Sequence, residues 1–123
     1  MPPAVLQFFR ASQDGDADTW AAAFAEDGVF HDPVGTPPIV GRTAIRDFIA
    51  SVLPGFDPFL GLTPLIAHTV GDNVAVAWRG AAITPDGKPV NWSGINIYEL
   101  AESGRIAVAK AYFDAAIFRA QLG

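Results

Sequence analysis

The chain has 123 residues, half of them hydrophobic and 17% charged, a balance that suits one folded domain with a substantial core and excludes a disordered chain. A net charge of −5, with the eight Lys and Arg scattered singly, argues against a nucleic-acid backbone as partner, and the apolar stretches are too short and interrupted to cross a bilayer. The absence of cysteine removes disulfide frameworks, thiolate nucleophiles and cysteine-based zinc sites together. Met1-Pro2-Pro3 has neither the basic segment nor the apolar run of a secretory leader, so the expected location is the cytoplasm. There is no internal repeat or low-complexity linker, and the prolines punctuate elements instead of separating units, which predicts one domain over residues 1–123.

From Ala4 to Gln13, Val5, Phe8 and Phe9, with Leu6 or Ser12, recur at helical spacing, and Asp14-Gly15 stops that helix. Asp16 or Asp18 can cap a second helix carrying Trp20 and Phe24, both read as core. Val29 to Asp32 reads as a short strand. Gly41-Arg42-Thr43 then leads into a third helix whose Ile45, Phe48, Ile49 and Val52 form one face and which ends before Pro54. The second half changes period. Leu62–Val70, Val74–Ile83, Val90–Leu100 and Arg105–Asp114 are strand-length runs separated by turn sequences, an antiparallel meander, and Ala115 to Leu122 closes with a helical turn. Helices first and strands after predict an α+β fold, with helices packed on one face of a curved sheet and a hydrophobic pocket between them.

This order, together with Phe24-Ala25-Glu26-Asp27-Gly28, His31-Asp32-Pro33-Val34-Gly35, Gly41 and Ala44-Ile45-Arg46-Asp47-Phe48, resembles the ketosteroid isomerase and SnoaL-like branch of the NTF2-like superfamily over nearly the whole chain. The resemblance implies a cone-shaped fold, a homodimer and cofactor-independent chemistry on a small hydrophobic molecule. The same fold hosts isomerases, polyketide cyclases, epoxide hydrolases and plain binding proteins, so function has to be argued from the site.

The resemblance makes Asp32 the proton-transferring base of the Asp-Pro-Val-Gly turn. A carboxylate beside Phe30 and Val34 in an apolar cavity loses hydration, which raises its pKa and strengthens it toward carbon acids. The plainer role for Asp32 is to cap that turn. A base next to a carbonyl also needs a donor for the developing oxyanion. The first-helix tyrosine that serves as donor in the isomerase aligns with Phe8, which cannot donate, and the protonated aspartate aligns with Asn96, whose amide N–H can. Asn96 is otherwise a cross-strand polar pair or an exposed strand residue. Strand parity places it with Val74, Val76 and Trp78 on one face only if the loop around Pro85–Pro89 is odd, pairing Thr84 with Val90 and Trp78 with Asn96.

Phe8, Val34, Trp78, Trp92, Tyr98 and Phe113 are the expected substrate contacts, large walls for a flat ligand. His31 and His68 have no partner for a metal site or triad, so neither metal nor cofactor is expected. Asp114 is read as the cap of the last helix, with a base role as in SnoaL-like cyclases as the alternative implied by the resemblance; Arg79 with Asp32 or Asp114 would be the arrangement of an epoxide hydrolase. The leading reading is a proton-transfer enzyme, isomerase or cyclase, on a hydrophobic cyclic carbonyl compound. The alternatives are a non-catalytic hydrophobic-ligand-binding or dimerisation module and an epoxide hydrolase.

Overall fold

The structure, a computed structural model, describes residues 1–123. Helix α1 (Pro3–Asp14) ends where Gly15 turns left-handed at φ 64°, and Asp16 then caps α2 (Ala17–Ala22), accepting from the Thr19 backbone N–H at 3.1 Å. Strand β1 (Phe24–His31) follows at once, so Phe24 belongs to the sheet and not to the second helix. Its ring is still core, as read from the sequence. A two-residue strand β2 (Ile39–Val40), absent from the sequence reading, pairs with β1 and leads into α3 (Arg42–Val52), followed by a 3-10 turn at Leu53–Gly55.

Strands β3 (Phe59–Val70), β4 (Asn73–Ile83), β5 (Pro89–Leu100) and β6 (Ile106–Tyr112) form the antiparallel meander, and helix α4 (Ala115–Ala120) closes the chain. The sheet order is β2-β1-β6-β5-β4-β3, and β1 joins β6 in parallel. The outer face is exposed or half-exposed, with apolar as well as polar side chains; the inner face carries Val74, Val76, Trp78, Asn96, Tyr98, Ala109 and Ala111, all buried under the helices. Phe8 sits at the middle of this core, with edge-to-face contacts to Trp20 and Tyr98, each at 5.3 Å between centroids.

Ser12 explains itself in this frame. It occupies the buried stripe of α1 because its hydroxyl accepts the Leu62 backbone N–H at 3.0 Å, while Gln13 donates to the Leu62 carbonyl at 2.9 Å, so the end of α1 is stitched to β3. Gly61, at φ 93°, permits that approach: a Cβ there would lie 2.6 Å from the Gln13 backbone.

The β4–β5 loop is odd, as the face assignment requires, but the register differs by two residues from the expected one. Ile83 pairs with Pro89, which sets Val76 opposite Asn96 and Trp78 opposite Gly94. Thr84 is drawn out of the ladder because its hydroxyl accepts the Lys88 N–H at 2.9 Å and its own N–H bonds the Lys88 carbonyl. A two-residue shift leaves every side chain on its face, so Asn96 points inward although its direct partner changes.

Candidate active site

Between α2, α3, the inner sheet face and α4 lies a cavity of about 310 Å³, at the lower end of the range of roughly 300–1,000 Å³ usual for small-molecule sites. Of its 19 lining residues 15 are hydrophobic; the others are Asp32, Pro33, Asn96 and Arg119. Two polar side chains, Asp32 and Asn96, therefore line an otherwise apolar interior, with the exposed Arg119 at its edge.

Asp32 reaches it by strand parity. Phe30 points inward from β1, His31 outward, and Asp32 inward again one residue past the strand. The turn that follows does not use its carboxylate: the Val34 N–H bonds the Ala111 carbonyl at 2.8 Å, and the Thr36 N–H and hydroxyl both bond the Pro33 carbonyl. The capping role is thus filled by other groups. Asp32 retains some accessible surface, yet that surface faces the cavity, and burial among apolar side chains pushes its carboxyl up to about 6.

Asn96, 1% exposed, is held from both sides. The Trp78 indole N–H donates to its Oδ1 at 2.8 Å, and its Nδ2 donates to the Tyr98 hydroxyl oxygen at 2.9 Å. Because an indole N–H can only donate, the atom facing it must be the amide oxygen, and the amide nitrogen is thereby turned toward Tyr98. One Nδ2 hydrogen is engaged; the second has no acceptor within the protein. Tyr98 itself is kept protonated, its pKa raised by burial first and also by the nearby Asp32 charge.

The aromatic wall depends on two glycines. Each tryptophan lies over the glycine opposite it: a Cβ on Gly80 would come within 2.6 Å of the Trp92 ring, and one on Gly94 within 2.6 Å of Trp78. The two indoles meet edge to face at 6.4 Å, and Phe118 of α4 packs on Trp92 at 4.8 Å. Asp114 accepts the Ala116 and Ile117 N–H groups, capping α4 as the sequence suggested.

Of the residues expected at the site, Asp32, Asn96, Trp78, Trp92 and Phe113 line the cavity together. Phe8, Val34 and Tyr98 do not. Phe8 and Tyr98 are fully buried behind the wall, packed on each other, and Val34, 41% exposed, faces outward because the chain leaves the sheet after His31. Arg79 lies on the outer face opposite Ser93, and Asp114 is exposed, so the acid–arginine–acid arrangement is not formed. No three His, Asp or Glu side chains come together to hold a metal. Sequence reasoning missed Trp20 as a wall residue, besides its core role, and Phe56, Phe59, Phe118 and Arg119, which the loop after α3, the start of β3 and α4 bring in without any periodic signal. Phe48 and Val52 were legible only as a helix face.

A curved six-stranded sheet with helices packed on its inner face is the NTF2-like architecture. The chain belongs to the SnoaL-like domain family, whose model matches residues 5–109. Its fold is similar to that of SalBIII, an epoxide hydrolase/cyclase-like enzyme in pyran ring formation in the polyether salinomycin, with a TM-score of 0.80 and 24% identity over 92% of this chain and 89% of that one. It is also similar to an LEH-like epoxide hydrolase of M. tuberculosis, with a TM-score of 0.80 and 26% identity over 98% of this chain and 87% of that one. No helix is long and apolar enough to cross a membrane.

Proposed function

We propose that the chain is an NTF2-like enzyme of the isomerase or cyclase type, moving a proton on a small hydrophobic cyclic carbonyl compound without a cofactor. The observation that carries this reading is Asp32: a carboxylate with no protein donor, on the wall of an apolar cavity, sharing that wall with an oriented amide. Raised toward neutrality, Asp32 is a stronger base than a hydrated carboxylate and still largely ionised at pH 7. It would take a proton from carbon next to a carbonyl, while the free Nδ2–H of Asn96 donates to the oxygen as charge develops there. Returning the proton at another carbon completes an isomerisation; attack of the enolate carbon on a second carbonyl, whose oxygen takes the proton back from Asp32, completes a cyclisation. Trp78, Trp92 and Phe113 would bound the flat ligand.

Exchange of α-protons for deuterium on a panel of cyclic enones and diketones, followed by NMR, tests the reading. Asp32→Asn is expected to lower exchange by about 10²–10⁴-fold. Unchanged exchange in the variant removes Asp32 as the base, and binding with no exchange by the unaltered chain makes it a ligand-binding module instead. Epoxide opening is the second reading, favoured by the two similar structures. It needs an acid for the epoxide oxygen and an activated water, and Asp32 would have to supply both, being the one carboxylate on the wall. Including a cyclic epoxide in the panel separates the two chemistries. We also propose that two copies of the chain associate through the outer sheet face, where Ile66, Ala77, Ile95 and Tyr112 stand in register as one apolar row across four strands.

A further inference from the structure

Arg119 is the one cationic residue on the cavity wall, and nothing in the proton-transfer scheme uses it. It stands on α4, next in sequence to Phe118, whose ring is fixed against Trp92, Phe56 and Phe113. The C-terminal end of that helix is tied down by Gln121, which accepts from the Asn91 N–H at 2.9 Å and donates to the Asn91 carbonyl at 2.7 Å, as a neighbouring strand would. Arg119 is therefore carried by an anchored element and not by a loose tail. Both ion pairs of the structure belong to Arg46, so the guanidinium of Arg119 is uncommitted. Asp32 does not neutralise it: no ion pair joins them. The cavity thus has an unpaired anion within its apolar interior and an unpaired cation on an exposed residue at its rim.

We propose that Arg119 is a specificity-determining residue that selects ligands bearing a carboxylate at the end facing α4, away from the carbon that reacts at Asp32. The inference rests on the reading of the cavity as a hydrophobic-ligand site and narrows the substrate class from a cyclic carbonyl compound to one with an acidic substituent. A planar carboxylate matches the forked guanidinium and would order it by paired N–H donation. The rest of the protein works against such a ligand, since its net charge of −5 repels anions, so any preference for the acid must come from a local cation.

Quenching of the wall tryptophans gives a direct readout with 2-naphthylacetic acid and its uncharged amide as probes. At neutral pH and low salt, the acid is expected to bind about fivefold or more tightly than the amide. Arg119→Met should abolish that advantage while changing affinity for the amide by less than about twofold, since the methylene stem is kept. Arg79→Met removes an equal charge from the outer face and should leave the advantage intact. Equal affinity of the unaltered chain for acid and amide overturns the inference and leaves the proton-transfer reading standing, as does an acid preference that survives in Arg119→Met. Binding of neither probe overturns both, because the cavity would then not take a flat apolar ligand at all.

Discussion

Asp32 keeps its proton up to about pH 6 in the folded chain, whereas the same side chain in water releases it near 3.8. Between those values the native state holds more protons than the unfolded one, so stability falls as pH rises through the window and the loss is complete above it. The difference amounts to about 2–3 kcal/mol at neutral pH. Asp32→Asn, which cannot ionise, is therefore expected to be more stable than the unaltered chain by about that amount near pH 8 and by almost nothing near pH 4, read from urea unfolding. A base with this pKa also sets the acid limb of activity: proton exchange should rise with pH to a plateau with a midpoint about 6, and the limb should vanish with the residual activity of Asp32→Asn. Gaining stability while losing exchange is the signature of a residue kept for chemistry. Trp78→Phe probes the other polar group. It strips Asn96 Oδ1 of its donor in a buried setting, at an expected cost of about 1–3 kcal/mol, and frees the amide to turn, so exchange should fall.

At the level of elements, two glycines separate the frame from the site. Gly61→Ala would press a Cβ onto the backbone of α1 at a left-handed φ, and backbone cannot give way; a loss of about 3 kcal/mol or more is expected, seen as a lower midpoint in urea. Gly80→Ala presses instead on the Trp92 ring, a half-buried side chain of the cavity wall that can tilt into the open volume. The expected outcome is a smaller loss of about 1–2 kcal/mol together with weakened binding of flat probes. Helix α3 shows the same division within one element, since Ile45 enters the core while Phe48 and Val52 line the cavity. Its single apolar face was plain in the spacing of the sequence. That the face is split between packing and pocket depends on where α2 and the loop after α3 come to rest, which no local pattern records.

Across the whole molecule, charge and apolar surface are unevenly placed. Ile66, 62% exposed, Ile95, 50%, and Tyr112, 47%, form with Ala77 a continuous row on the outer face, flanked by rows that carry His68 and Lys110 on one side and Arg79 on the other. An apolar stripe of this kind on a sheet invites a second copy. Light scattering should give twice the chain mass, and Ile95→Glu should return the chain mass with the fold retained by circular dichroism. A chain mass in the unaltered protein removes the dimer.

Local chemistry carries far at this scale. The left-handed Gly15, the Asp16 cap, the turns between the four long strands and the period-2 pattern of β4 and β5 all act between residues close in the chain, and so the α+β order could be read from the sequence, while the inward face of Asn96 followed only once the β4–β5 loop was known to be odd. Asp32 was singled out by the resemblance carried in its Asp-Pro-Val-Gly turn, and the parity of β1 puts it on the same face as Phe30, one residue beyond the strand. The sequence by itself thus determined the four helices, the four long strands and the acid after β1, but not the short strand β2 or the start of β1 at Phe24. Only the tertiary structure decided which buried groups face a cavity and which face each other. Phe8 and Tyr98 have the same apolar-face credentials as Trp78, yet they fill each other's space while Trp78 borders open volume. Arg119 comes to the rim through a six-residue helix with no pattern to announce it. Cavities are what packing leaves over, and that remainder is set by contacts between distant segments, not by any one of them.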